Sequence, residues 1–122
     1  MKKLLATFAL SLFSVMSFAQ IEGKWKTIDD ETGKPKSIVE VFKKLDGKYY
    51  GKIVQLLIKT ENNNCVKCKD DRKNKPLVGL EIIRGLSKDG NEFGGGTITN
   101  PKDGKSYKTE IARENKTLKV NT

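Results

Sequence analysis

The sequence has no histidine, and only two cysteines and one tryptophan in 122 residues. Without histidine, the commonest general base and the commonest metal ligand are both missing. A Ser-His-Asp or Cys-His catalytic site cannot be assembled from this chain. Acid is also scarce: 15 Asp+Glu face 24 Lys+Arg, a formal charge of +9. Beyond residue 19 no window carries a long apolar run or a sustained 3.6-residue apolar period, which argues against a spanning helix there.

The one long apolar run lies at the start. Met1-Lys2-Lys3 is basic, Leu4 to Met16 is apolar except for Thr7, Ser11 and Ser14, and Ser17-Phe18-Ala19 supplies small residues at a cut. This pattern predicts a secretory signal peptide over residues 1–19, cleaved after Ala19. Removing Lys2 and Lys3 with it lowers the formal charge from +9 to +7. An even cysteine count suits an oxidising compartment. No cysteine follows the cut, so a lipid anchor is not expected. Residues 20–122 are expected to form one small domain, periplasmic or secreted, with no integral membrane segment after cleavage.

Within that domain turn signals recur at short intervals: Thr32-Gly33, Asp46-Gly47, Asp89-Gly90 and Asp103-Gly104. Glycine accepts positive φ and aspartate bonds its own backbone. Between them lie runs rich in Val, Ile, Tyr, Phe and Thr. Strands are predicted at Lys24–Ile28, Ser37–Lys44, Lys48–Ile58, Leu77–Ile83, Glu92–Thr99, Ser106–Arg113 and Thr117–Asn121. Leu77, Leu80, Ile82 and Ile83 would equally line a short helix. The pattern predicts an all-β sandwich or barrel. Lys59 to Pro76 stands apart as a long loop holding both cysteines.

Cys65-Val66-Lys67-Cys68 admits three readings. It is a structural disulfide, a redox pair, or half of a metal site. A redox pair wants a helix N-terminus in a βαβ setting, and a metal wants further soft or imidazole ligands. The setting favours the bridge. Gly23-Lys24-Trp25 opens the first strand, where the tryptophan either packs in the core or meets a ligand at the barrel end. Tyr49 and Tyr107 are candidates for the same barrel-end or ligand contact. Asp29-Asp30-Glu31 reads as a solvated turn rather than a Ca²⁺ site. Gly104-Lys105-Ser106 resembles a fragment of a phosphate loop, but Thr99 stands where the first glycine is needed and no helix follows. Gly94-Gly95-Gly96 reads as a bulge. No cofactor or metal is expected. Lys outnumbers Arg 19 to 3 after residue 19 and is spread along the chain, which disfavours nucleic acid as a partner.

Several stretches together resemble a family of exported bacterial proteins, domain of unknown function 2147. They are Trp25 to Val39, Asp46-Gly47-Lys48-Tyr49-Tyr50-Gly51-Lys52-Ile53, Cys65 to Cys68, Lys75-Pro76-Leu77-Val78-Gly79-Leu80, and Asn100 to Tyr107. In the last, Asn100 stands where aspartate is commoner. The resemblance implies a small lipocalin-like antiparallel up-and-down β-barrel, with no catalytic residues to carry over. Gly23 and Trp25 also match the Gly-x-Trp that opens lipocalins. The family pattern continues past Val120 with further strand sequence, including a basic residue that would pack over Trp25. The resemblance therefore implies an incomplete barrel of about seven strands, its sheet left open or completed by another chain.

Three functions follow, in order. The first is a non-enzymatic binding protein for a small apolar or amphipathic ligand. The second is an envelope module that contacts a protein or an anionic surface through its lysines. The third is a thiol–disulfide protein using Cys65 and Cys68.

Overall fold

The computed structural model describes residues 20–29, 31–114 and 117–122. The predicted signal peptide, Asp30, and Asn115-Lys116, where the sequence predicts a turn between the last two strands, lie outside the described residues.

Seven antiparallel strands form one sheet in sequence order. They are β1 (Gly23–Ile28), β2 (Pro35–Lys43), β3 (Tyr49–Leu56), β4 (Glu81–Asp89), β5 (Glu92–Asn100), β6 (Lys105–Glu114) and β7 (Thr117–Asn121). The sheet curls into a nearly closed barrel, with β1 and β7 at its two edges. Arg113 on β6 reaches back towards the start of the chain, where its Nη1 donates to the Gln20 carbonyl at 2.8 Å.

The turns use the chemistry their sequences carry. In the β2–β3 turn Gly47 has φ +82° and the Lys48 N–H donates to Asp46 Oδ1 at 2.8 Å. In the β5–β6 turn Asn100 accepts the Lys102 N–H at 3.0 Å through its side chain. Its carbonyl accepts the Gly104 N–H at 2.7 Å. Asparagine thus does here what aspartate would do. In the β1–β2 turn the Asp29 carboxylate accepts the Glu31 N–H at 3.0 Å, in keeping with the turn reading of that acidic run.

Register fixes the inner face. Trp25 lies opposite Val39. Val39 and Val41 lie opposite Ile53 and Gly51. Tyr49, Gly51 and Phe93 lie opposite Leu86, Ile83 and Ile111. Phe93, Leu86 and Ile111 are fully buried. The Tyr49 ring meets Phe93 edge-on, with centroids 5.0 Å apart. Gly51 is small because a Cβ there would stand 3.0 Å from Ile83 Cδ1 and 3.2 Å from Val39 Cγ1. This part of the lumen is therefore filled by its own side chains.

The structure corrects two strands. The segment expected at Leu77–Ile83 begins its strand only at Glu81 and continues to Asp89. Leu77 to Leu80 instead form a turn: the Leu80 N–H donates to the Leu77 carbonyl at 3.1 Å, and Gly79 has φ +96°. Both leucines are buried from that turn, so their apolar character came from covering the core rather than from strand alternation. The strand continues through Arg84 to Lys88, with Leu86 buried and Gly85 at φ +75°. At β3 the expected strand stops at Leu56, leaving Leu57 and Ile58 exposed.

Candidate functional site at the disulfide loop

The strand directions place the β1–β2 and β5–β6 turns and the β3–β4 segment at one end of the barrel. The β2–β3 and β4–β5 turns and the start of β1 lie at the other.

Three of the four aromatic and glycine candidates belong to that second end. Gly23 is exposed at φ +127°. Trp25 is half-buried, its Nε1 donating to the Ile21 carbonyl at 2.8 Å. Tyr49 is buried against Phe93. A basic side chain does stack on Trp25, but it comes from β6 within this chain. The Arg113 guanidinium carbon lies 5.4 Å from the indole centroid. The contact is a cation–π interaction. Trp25 and Tyr49 are thereby occupied by the protein itself. Tyr107 sits apart, on β6 at the opposite end, 43% exposed.

Tyr107 stands beside the segment that carries the cysteines. Cys65 and Cys68 are joined in a disulfide. Both are buried. The ring they close is pinned by backbone: the Cys65 N–H donates to the Lys75 carbonyl and the Asn74 N–H to the Cys65 carbonyl, each at 2.8 Å. This knot lies directly on the β5–β6 turn. Gly104 has φ +75°, and a Cβ added there would overlap the Lys67 carbonyl oxygen. Only glycine satisfies both conditions.

Charges fasten the same segment to β4. Arg72 is buried, pairs with Asp70, and donates to the Glu81 carbonyl at 2.9 Å. Arg84 binds Asp71 through both terminal nitrogens, at 2.8 and 2.9 Å, and Glu81 through Nε at 2.9 Å. Lys44 completes the set on Glu81. Hydrogen bonds from Arg72 hold the Asp70 carboxyl well below the usual carboxylate range. Those from Arg84 lower Asp71. Burial works against the ionised Glu81, but Lys44 and Arg84 outweigh it and its carboxyl is lowered too.

Two cavities of about 430 Å³ each flank this segment. Both are open, solvent-facing hollows rather than enclosed pockets. One lies over β4 and is lined by Lys44, Asp71, Glu81 and Arg84, whose charges already satisfy one another. The other lies between the disulfide knot and β6. Its lining includes Cys68, Lys69, Thr99, Lys105, Ser106 and Tyr107. Thr99 and Ser106 share a hydroxyl hydrogen bond of 2.7 Å. Arg72 and Asp70 also border it, but as an ion pair. Sequence reasoning had singled out Cys68 and Tyr107, had weighed Lys105, Ser106 and Thr99 only as a rejected phosphate loop, and had passed over Lys69. The signal was the Gly104-Lys105-Ser106 fragment, which carries a close backbone approach rather than a phosphate loop. Among the described residues no group of three or more His, Cys, Asp or Glu side chains is placed to hold a metal ion. No helix among them is long and apolar enough to cross a membrane.

A family described as "Uncharacterized protein conserved in bacteria (DUF2147)" matches residues 23–122. The chain belongs to this DUF2147 family. No curated protein matches the sequence significantly. Among solved structures it is similar to protein HP1028 from the human pathogen Helicobacter pylori, described as belonging to the lipocalin family. The two share 22% identity and a TM-score of 0.70, over 83% of this chain and 70% of that one. The likeness is one of fold, and this DUF2147 chain is lipocalin-like in architecture.

Proposed function

We propose that this DUF2147 protein is an exported, non-enzymatic binding protein for a small amphipathic ligand, held in the cleft between the disulfide knot and β6. The supporting observation is the lining of that cleft. Tyr107 offers an exposed ring, Lys69 and Lys105 bring positive charge, and Ser106 brings a hydroxyl oriented by the buried Thr99. An apolar body against the ring and an anionic head near the lysines would satisfy all three. The lumen is the less suitable place, because its inner face is occupied by Phe93, Leu86, Ile83 and Val39. A thiol–disulfide role is poorly supported, because both sulfurs are buried and exchange needs access to an attacking thiolate.

Titration calorimetry with dodecanoate, and with a cationic amphiphile of equal chain length, tests the reading. Saturable binding of one dodecanoate is expected, at least tenfold weaker in a Tyr107→Ala/Lys105→Gln variant, with the cationic amphiphile binding more weakly. Equal binding of both amphiphiles, or affinity untouched by the variant, would remove the cleft from the account.

A further inference from the structure

We infer that the outer face of β1–β3 docks on an anionic phospholipid bilayer. This surface is separate from the cleft and does not depend on it. Register turns Lys24 and Lys26 of β1 outward, opposite Glu40 and Ile38 of β2. Lys36 shares the outer side of β2 with Ile38, and Lys52 of β3 lies opposite Glu40. Glu40 is the one acidic residue in these three strands. It lies between Lys24 and Lys52 in the ladder, so the face keeps a net positive charge.

Apolar groups run between these lysines. Ile28 is half-exposed, and Ile38, Phe42 and Tyr50 are only partly covered. Phe42 and Tyr50 stack with centroids 6.2 Å apart. Lys52 Nζ lies 5.2 Å from the Phe42 centroid. Lys44 Nζ lies 4.1 Å from that of Tyr50 but is paired with Glu81, and the Tyr50 hydroxyl donates to Asp46, so Lys52 is the ammonium this ring pair presents. Ammonium and ring are thus presented together. Lysines on the edge strand β1 would also discourage strand addition. That role does not account for an aromatic pair on β2 and β3. A dissolved polyanion would use only the charge. An anionic bilayer uses both, with ammonium groups at the headgroup phosphates and rings at the interface.

The test is co-sedimentation of the protein, purified from its own host, with vesicles containing phosphatidylglycerol or made of phosphatidylcholine alone. Each lysine near an anionic surface is worth about fivefold in affinity, so Lys24→Gln/Lys26→Gln/Lys52→Gln should lose about a hundredfold. Lys88→Gln/Lys108→Gln/Lys119→Gln removes the same charge elsewhere and should lose less than about threefold on the same scale. If the face triple unfolds on heating earlier than its control, Lys26→Gln alone replaces it, with about a fivefold loss expected. A Phe42→Ser/Tyr50→Ser variant should lose the binding that survives high salt. The proposal fails if phosphatidylglycerol confers no preference, or if both lysine triples weaken binding equally. It also fails if soluble polyphosphate displaces the vesicles completely while Phe42→Ser/Tyr50→Ser binds them at full strength.

Discussion

The lumen and the disulfide segment are held by different forces, the first almost wholly buried and the second exposed except at Cys65, Cys68 and Arg72. Around Phe93, Leu86 and Ile111 the contacts are apolar, and the strands that supply them run from one end of the sheet to the other. The segment between β3 and β4 has no strand of its own beyond an isolated bridge from Asn64 to Pro76. It is held by a short covalent ring, a backbone contact that requires Gly104, and paired charges on β4. The difference separates what stabilises the fold from what shapes the site. Changes in the lumen should unfold the whole barrel, whereas changes at the knot should open the cleft on a barrel that persists.

The largest expected effect is in the lumen. Phe93→Ala removes a fully buried ring and its edge contact with Tyr49, and should cost about 3–5 kcal/mol in urea unfolding. Gly104→Val comes next. It forces a β-branched residue to positive φ against the Lys67 carbonyl, for about 2–3 kcal/mol. Hydrogen exchange should then rise around residues 65–72 and stay slow in β2 and β3. Cys65→Ser/Cys68→Ser opens a very small ring, so loop-closure entropy assigns it only about 2 kcal/mol. Its distinguishing outcome is loss of dodecanoate binding at temperatures where the far-ultraviolet circular dichroism is unchanged.

Arg84→Gln should be the mildest, at about 1 kcal/mol or less, because its bidentate partner Asp71 is largely exposed and Glu81 keeps Lys44. The same pairs set a pH dependence. Asp70, Asp71 and Glu81 have carboxyls lowered in the folded protein. Their contribution is fully present above the ordinary carboxylate range near pH 4 and is lost as pH falls through the lowered values. Acid titration should therefore loosen the knot, and Arg84→Gln should flatten that response. Uniform loosening of lumen and knot in acid would erase the distinction between them.

Most of the barrel was legible in the sequence because its turns carry their own chemistry. Asp46-Gly47 and Asn100 to Gly104 adopt turns that their side chains stabilise locally, independent of what surrounds them. Leu77 and Leu80 misled for the opposite reason. Their burial is set by contact with distant strands, and an apolar residue reads alike in a strand or in a turn lying over a core. The site was half legible. The cysteine pair and Tyr107 stood out as residue types, but no local pattern indicates that Gly104 meets Lys67. That contact joins two motifs more than thirty residues apart and makes the cleft. Trp25 was conspicuous by its rarity, yet it serves packing and a stack with Arg113.

The central claim is that the ligand sits at the knot and not in the lumen. Native mass spectrometry of the protein purified from its own host, compared with its denatured mass, addresses this most directly. The expected result is a non-covalent excess mass of one small molecule that disappears on denaturation. It should be absent from Tyr107→Ala/Lys105→Gln and retained by Trp25→Phe. An excess mass kept by the cleft variant and lost by Trp25→Phe, or a bare chain in every preparation, would contradict it.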